Sequence, residues 1–369
     1  MISSFAFTLV TFLILLTILV FVHEWGHYFV ARRCGVRVEV FSIGFGREIY
    51  GWNDRHGTRW KIGMIPLGGY VKFFGDANAA SLPGGALEAM SDEERAQAFP
   101  LKPLRQRVAI VAAGPAVNLI FAAFLFAGIY MTAGQPIVTA EITEVTADSA
   151  AEAAGIETGD VVLSINQQPI QTFQEMGELI VLSGGLPLEL VISRGEQQIT
   201  LIATPRVVDP DGTPLDQPFL GVRGGAVDYV TLGPASALIE GTITTGRIMG
   251  LIMATVGNLL TGSVSTDELG GPIRIAQISG EAASLGLVSF IWFMALISVN
   301  LGLVNLFPIP MLDGGHLMFY GFEALRGRPI SPRMQEIGYI IGFTIVIGLL
   351  LMVTWNDLSS LGIWQNLGQ

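Results

Sequence analysis

Four long stretches of the chain carry no charged residue: Met1–Val22, Val108–Ala140, Ala282–Leu312 and Ile337–Asn356. About 20 consecutive apolar residues let a helix cross the hydrocarbon core of a bilayer, so each run predicts a spanning helix. After the first run the pattern changes. Val36–Ile43 and Trp60–Ile65 alternate with a period near two and are rich in β-branched and aromatic residues, which predicts paired strands. Pro66, Gly68 and Gly69 interrupt the second strand before Tyr70–Phe74 resumes it. One reading is a small cytoplasmic sheet. The other is a hairpin dipping beside a site in the membrane, with a free edge that can pair with an unfolded strand. Residues 76–107 are polar, with Gly/Pro turns and acidic Asp92–Glu94, and predict a loop with a short surface helix.

Beyond the second run the chain reads as a soluble module. A short helix at Ser149–Gly155, a strand at Val161–Ile165, a helix at Phe173–Leu182 and a hairpin of Leu188–Ser193 with Gln198–Thr204 are expected. Residues 206–230 are rich in Pro, Gly and Asp and read as a linker, with a strand at Phe219–Val222. Pro234–Gly262 is helical in character but contains Glu240 and Arg247. A crossing there would reverse the third run and carry its end to the opposite side from the end of the first. We therefore expect an amphipathic helix on the membrane surface. The predicted organisation is a first spanning helix within 1–35, a membrane-associated β-hairpin at 36–75, a loop at 76–107 and a second span at 108–136. A soluble α+β module at 137–205, linker and surface helix at 206–262, a third span at 282–316 and a fourth at 336–356 complete it.

Composition agrees with this pattern. Of 369 residues, 51% are hydrophobic and 14% charged, with mean hydropathy +0.56, which argues against an ordinary soluble globule. The first run lacks a basic start and a small-residue cleavage site, so it reads as a retained helix. The net charge of −11 is uneven. Segment 31–107 holds twelve Lys/Arg against eight Asp/Glu, whereas 141–247 holds four against fifteen. Arg326, Arg328 and Arg333 follow the third run. The positive-inside tendency then makes the first and third connections cytoplasmic and puts the acidic module and both termini on the far side. No nucleic-acid partner is expected. Cys34 is the lone cysteine, so no internal disulfide can form. It reads as a free thiol, with a metal role conceivable from its nearness to His27.

The candidate chemistry starts where the first run stops. His23-Glu24-Trp25-Gly26-His27 continues that helix, and spacing of four puts both imidazoles on one face with Glu24 beside them. Such a pair can grip one zinc ion while the carboxylate takes a proton from water. Only four histidines exist, and two lie here. A catalytic zinc site needs a third protein ligand and an open position. Asp313 is the best candidate, because it leaves the third run on the side where the first one ends. Pro308 and Pro310 break the helix before it. His316 is a rival that more naturally supports the site from outside, and His56 is a weaker one. Asn118 follows Gly114 and Pro115 in the second run. An amide there is costly unless partnered. It is expected to bond a neighbouring helix, or else to reach the metal site or the substrate.

Two resemblances follow from these residues. Ala154-Gly155-Ile156, Gly159-Asp160-Val161-Val162 and Ile165-Asn166 resemble a bacterial PDZ domain, which implies a peptide ligand bound by strand addition. HEWGH at the end of a first span, with distant Asn305-x-x-Pro308-x-Pro310-x-x-Asp313-Gly314, is similar to the site-2 protease family of intramembrane zinc metalloproteases. The PDZ insertion and the Gly114-Pro115-x-x-Asn118 start of the second span resemble its bacterial RseP type. The resemblance implies zinc on His23, His27 and Asp313, Glu24 as base, a membrane-reentrant hairpin, and Asn305 and Pro308 on the substrate; Asn118, from its place in the second span, is a further candidate contact. It also implies a multi-pass protein of the bacterial inner membrane, with the PDZ domain periplasmic and the site facing the cytoplasm. Its substrate would be a single-span protein of the anti-sigma-factor kind. The expected fold is thus a polytopic α-helical membrane protein with four transmembrane helices, a membrane-associated hairpin and an inserted PDZ domain, in contact with lipid. Two other classes compete. A zinc transporter or sensor would need a chain of ionisable residues through the spans, and the other spans offer none. A non-catalytic PDZ scaffold leaves both motifs unexplained.

Overall fold

The computed structural model describes residues 2–76, 90–208, 213–264 and 270–360. Part of the polar loop expected at 76–107, namely 77–89, and 209–212 of the expected linker lie outside the described residues. The chain divides into two compact units, one formed by 1–129 with 234–369 and the other by 130–233.

The first unit begins with α1, Ile2–Arg33, which places Arg32 and Arg33 in its last turn. At 1.5 Å per residue its 32 residues span about 48 Å, well beyond a hydrocarbon core of about 30 Å. Strands β1 (Val38–Asn53) and β2 (Arg59–Phe73) follow. They are far longer than the alternation predicted, because the glycine-containing stretch between the two predicted strands belongs mostly to them. The hairpin also folds back on itself. Near its tip Trp52 pairs with Trp60 and Tyr50 with Ile62, while Phe41 pairs with Trp60 on one side and Val71 on the other. Four strand segments result, in the order 48–53, 59–63, 38–43, 69–73, and the last is an edge. Asp54 ties the tip to α1, its Oδ2 accepting from the Tyr28 hydroxyl at 3.0 Å and the Trp60 indole at 3.1 Å. A short helix α2 (Asp92–Gln97) is capped reciprocally by Ser91 and Glu94. It leads to α3, Leu104–Thr132, with Pro115 inside.

The second unit contains β3 (Gln135–Val138), β4 (Ile142–Val145), α4 (Ala150–Ala153), β5 (Val161–Ile165), β6 (Gln168–Pro169) and α5 (Phe173–Leu182). It continues with β7 (Leu188–Arg194), β8 (Gln197–Ala203), β9 (Arg206–Val208), β10 (Pro214–Phe219), β11 (Val222–Gly224) and β12 (Val227–Val230). The central sheet has the order β6-β5-β7-β8, and alternate residues such as Leu188, Leu190 and Ile192 fill its core. The stretch 206–230 is not a free linker. β11 pairs with β4 and β12 with β3, so these residues close the module. Phe219–Val222 spans the end of β10, a break and the start of β11, and lines a cavity of about 160 Å³ against α5. Burial raises the proton affinity of Asp160, but bonds from Arg194 and from the Glu157 N–H outweigh it and hold the carboxyl below the usual range.

The first unit resumes with α6 (Pro234–Leu260), α7 (Pro272–Ser284), α8 (Leu287–Asn305), α9 (Asp313–Arg326) and α10 (Pro332–Ser360). The expected third span of 282–316 is therefore three pieces. Its first residues finish α7, a break at Leu285 and Gly286 precedes α8, and Asp313 opens α9. Among the described residues, five helices rather than four are long and apolar enough to cross a membrane: Phe5–Arg33, Leu104–Thr132, Pro234–Leu260, Leu287–Asn305 and Arg333–Ser360. α6, expected on the membrane surface, thus meets the requirement by length and composition, as the least apolar of the five. α7 packs on the first half of α1, where Gly280 lies against Thr8. Buried Asp357 of α10 caps α7, accepting from the N–H groups of Gly271, Ile273 and Arg274 at 2.8, 2.9 and 3.1 Å.

Candidate metal centre

Helical spacing sets the first half of the site. His23 and His27 lie one turn apart on α1, both buried, with Nε2 atoms 3.2 Å apart. The second half comes from the far end of the chain. Asn305 ends α8, and the prolines of 306–312 deny the backbone a helix until Asp313 starts α9. Gly314 lets that first turn fold under the loop, because a Cβ there would sit 2.2 Å from the Phe307 carbonyl oxygen. Met311, at φ +94°, holds a backbone conformation that side chains rarely adopt, two residues before Asp313. Asp313 thereby places Oδ2 3.1 Å from Nε2 of His23 and Oδ1 3.4 Å from Nε2 of His27. The three side chains each offer a ligand atom within 4.8 Å of the others.

These separations suit one small cation. Zinc–nitrogen and zinc–oxygen bonds of about 2.0–2.2 Å give a regular tetrahedron edges of roughly 3.3–3.6 Å. The two Nε2 atoms lie 3.2 Å apart, and the two oxygens of Asp313 approach them at 3.1 Å (Oδ2 to His23) and 3.4 Å (Oδ1 to His27), separations of that size. The donor set of two imidazoles and a carboxylate is one that catalytic zinc uses, leaving a fourth position. A cavity of about 350 Å³ opens on this cluster, lined by His23, Glu24, His27, Asp313, Asn305 and the Gly69–Val71 edge, together with Met311 and His316.

α3 backs the cluster. Gly26 and Gly114 let α1 and α3 come together. A Cβ on Gly26 would meet the Ala113 carbonyl oxygen at 2.6 Å, and one on Gly114 would meet Nε2 of His27 at 2.3 Å. Nδ1 of His27 lies 2.9 Å from the Ile110 carbonyl oxygen, and the Asn118 amide lies 3.2 Å from Nδ1 of His23. Ser298 of α8 donates to the Asn118 backbone oxygen at 2.8 Å.

The sequence-predicted residues thus fall into three groups. His23, Glu24, His27, Asn305 and Asp313 face one cavity. Asn118 is wholly buried behind His23, so the substrate contact considered for it does not follow from its placement. Pro308 does not line the cavity either. It shapes the loop that delivers Asp313. His316 is no metal-cluster member, but it borders the cavity and pairs with the Tyr339 hydroxyl at 3.3 Å. Sequence reasoning missed Val71, whose backbone N–H bonds the Glu24 carboxylate. A backbone donor leaves no mark in residue type. The signal available was the Gly68-Gly69 pair before it, since Gly69 has no room for a Cβ against Val20.

Comparison with known proteins bears on this centre. Residues 11–349 match the model of Peptidase family M50. A relative from Rhizobium meliloti is 44% identical, covering 97% of this chain and 98% of its own. The metalloprotease MmpA of Caulobacter vibrioides is 36% identical, covering 99% and 98%. The regulator of sigma-E protease RseP of Salmonella typhimurium is 33% identical, covering 97% and 100%. Among solved structures, the PDZ domain of an SdrC-like protein from Listeria innocua aligns with 25% of this chain at 20% identity and a TM-score of 0.20.

Proposed function

The chain belongs to peptidase family M50, and from that premise we propose that it is a zinc metalloendopeptidase that cuts a peptide bond in or beside a membrane-spanning segment. The observation that carries the reading is the convergence of the His23, His27 and Asp313 side chains, within ligand distance of one small cation, beside Glu24. His23, His27 and Asp313 hold the metal. When bound, zinc polarises the substrate carbonyl and lowers the pKa of water towards about 7. Glu24 takes the proton of the attacking water and passes it to the leaving nitrogen. Its carboxylate is aimed by the Val71 N–H. Asn305, on the cavity wall at the end of α8, bonds exposed substrate backbone, and Pro308 keeps the loop beside it open.

A transmembrane substrate hides its carbonyls in helical hydrogen bonds and must unwind before it can be cut. The edge segment 69–73 offers replacement bonds by strand addition, directly beside Glu24. The substrate class is a single-span membrane protein, and the resemblance to the RseP type makes an anti-sigma factor the first kind to try. The second unit is a PDZ module that takes a peptide in the groove between α5 and Phe219–Val222.

The same geometry supports four spans, with α6 on the surface. Asp313 stands at the exit of α8 and touches His23 near the exit of α1, so both helices run in the same sense across the bilayer. Were α6 a fifth span, α7 would have to return the chain across the membrane. Its 13 residues reach only about 20 Å against a core of about 30 Å. The arginine-rich connections support a cytoplasmic position for the exits of α1 and α8, which in a bacterial inner membrane leaves the PDZ module in the periplasm.

The test is metal removal and return. Purified in detergent, the chain loses cleavage of a single-span substrate on chelation and regains it with one equivalent of zinc. Cleavage that persists in metal-free protein contradicts the proposal.

A further inference from the structure

We propose that Asn118 is a positioning residue of the metal centre: its side-chain oxygen accepts a hydrogen bond from Nδ1–H of His23 and so fixes the tautomer that turns Nε2 to zinc. This rests on the metal-centre reading above and goes further, replacing a substrate role for Asn118 with one behind the ligand.

Two imidazoles meet the carboxylate. Each turns Nε2 towards Asp313, at 3.1 Å from His23 and 3.4 Å from His27. A neutral imidazole that gives its Nε2 lone pair to a metal carries its proton on Nδ1, and that N–H needs an acceptor. His27 has one in the Ile110 carbonyl oxygen at 2.9 Å. His23 has the Asn118 amide, at 3.2 Å. The amide nitrogen now faces Nδ1, while the amide oxygen is buried with no hydrogen-bond partner. A half-turn of the amide exchanges the two, which are nearly the same in shape. It puts the acceptor against Nδ1–H, and the oxygen forfeits no bond by leaving its present place. With nitrogen facing Nδ1, by contrast, His23 must carry its proton on Nε2, and that tautomer cannot ligate.

The surroundings hold Asn118 to this task. It is 0% exposed and lies off the cavity wall, so it does not reach substrate. Ser298 fixes its backbone oxygen from α8 at 2.8 Å. Gly114, one turn earlier on α3, sits against the same pair of imidazoles. One face of α3 thus supports both histidines, with a carbonyl oxygen behind one and an amide oxygen behind the other.

The experiment measures zinc affinity of the full-length protein in detergent, by competition with a chromogenic chelator, together with the visible spectrum of the Co²⁺-loaded form. Asn118→Leu keeps the bulk and removes the acceptor. Asn118→Ala removes both, and Asn118→Asp keeps the acceptor. Leu and Ala should weaken zinc binding by about 10- to 100-fold and alter the cobalt band, while Asp stays within about threefold of wild type or binds more tightly. At saturating zinc, KM for substrate should be unchanged in all three. Ser298→Ala, which disturbs the same helix contact but not the side-chain amide, should retain affinity. Wild-type affinity in both Leu and Ala, or an Asp variant as weak as Leu, overturns the assignment. If Leu is not recovered folded, the Ala and Asp pair carries the same comparison. A wild type that binds zinc no better than His23→Ala overturns the metal centre itself, which is a separate result.

Discussion

At the scale of single residues, half of the site could be read directly. His23 and His27 are legible because a helix of 3.6 residues per turn makes a spacing of four a shared face, whatever surrounds it. Asp313 was legible from a topological argument, since its run had to end where the first one did. The direction of Asn118 was not. α3 is apolar on every side, so nothing in its pattern says which face meets α1. Gly114 carries the missing information, and it yields a prediction. Gly114→Ala drives a methyl into Nε2 of His27. Zinc affinity should fall by on the order of a hundredfold, with helix content retained by circular dichroism. Affinity equal to wild type would mean that α3 yields. In the second unit the depressed Asp160 carboxyl sets the sign of a pH effect. A folded-state pKa below the unfolded value of about 3.9 stabilises the module above that value, and the gain is lost as pH falls through the folded pKa. Asp160→Asn should therefore lower protection of β5 and β7 against hydrogen exchange near neutral pH and narrow the gap to wild type in acid. A gap that stays constant with pH contradicts the assignment.

Elements were harder to read than residues where the chain departs from regular periodicity. Helices α1, α3 and α10 announce themselves by uncharged length. The hairpin did not, because glycines at 44, 46 and 51 hide two extra strand segments within what reads as a turn. Its return past β1 is what places 69–73 at an edge. That edge makes a specific claim. Val71→Pro removes an N–H that bonds Glu24 rather than β1, so the sheet keeps its ladder. Turnover should fall about tenfold, on a single-span substrate and on a short flexible peptide alike, because the lost N–H aims Glu24 for both. Unchanged turnover, or a loss confined to the single-span substrate, would contradict that role.

For the whole molecule, charge asymmetry and the meeting of His23 with Asp313 together constrain the path through the membrane. Composition alone allows five spans, because α6 is apolar enough to qualify. Four is the count proposed, on the argument that a fifth would separate the two halves of the site. On a Cys34→Ser background, cysteines placed at Gly233 and Ser263 should both react from outside intact cells with an impermeant thiol reagent, while one at His56 should not. Labelling of only one of the first pair would make α6 a span. The claim on which everything else depends is that this centre hydrolyses peptide bonds with Glu24 as its base. The most direct measurement compares wild type with Glu24→Gln, both confirmed to hold one zinc, on one single-span substrate in detergent. The substitution keeps the shape and removes the base, so cleavage should fall by about 10²–10⁴-fold with zinc unchanged. Equal cleavage by the two, or none by zinc-loaded wild type on any single-span substrate, would contradict the account.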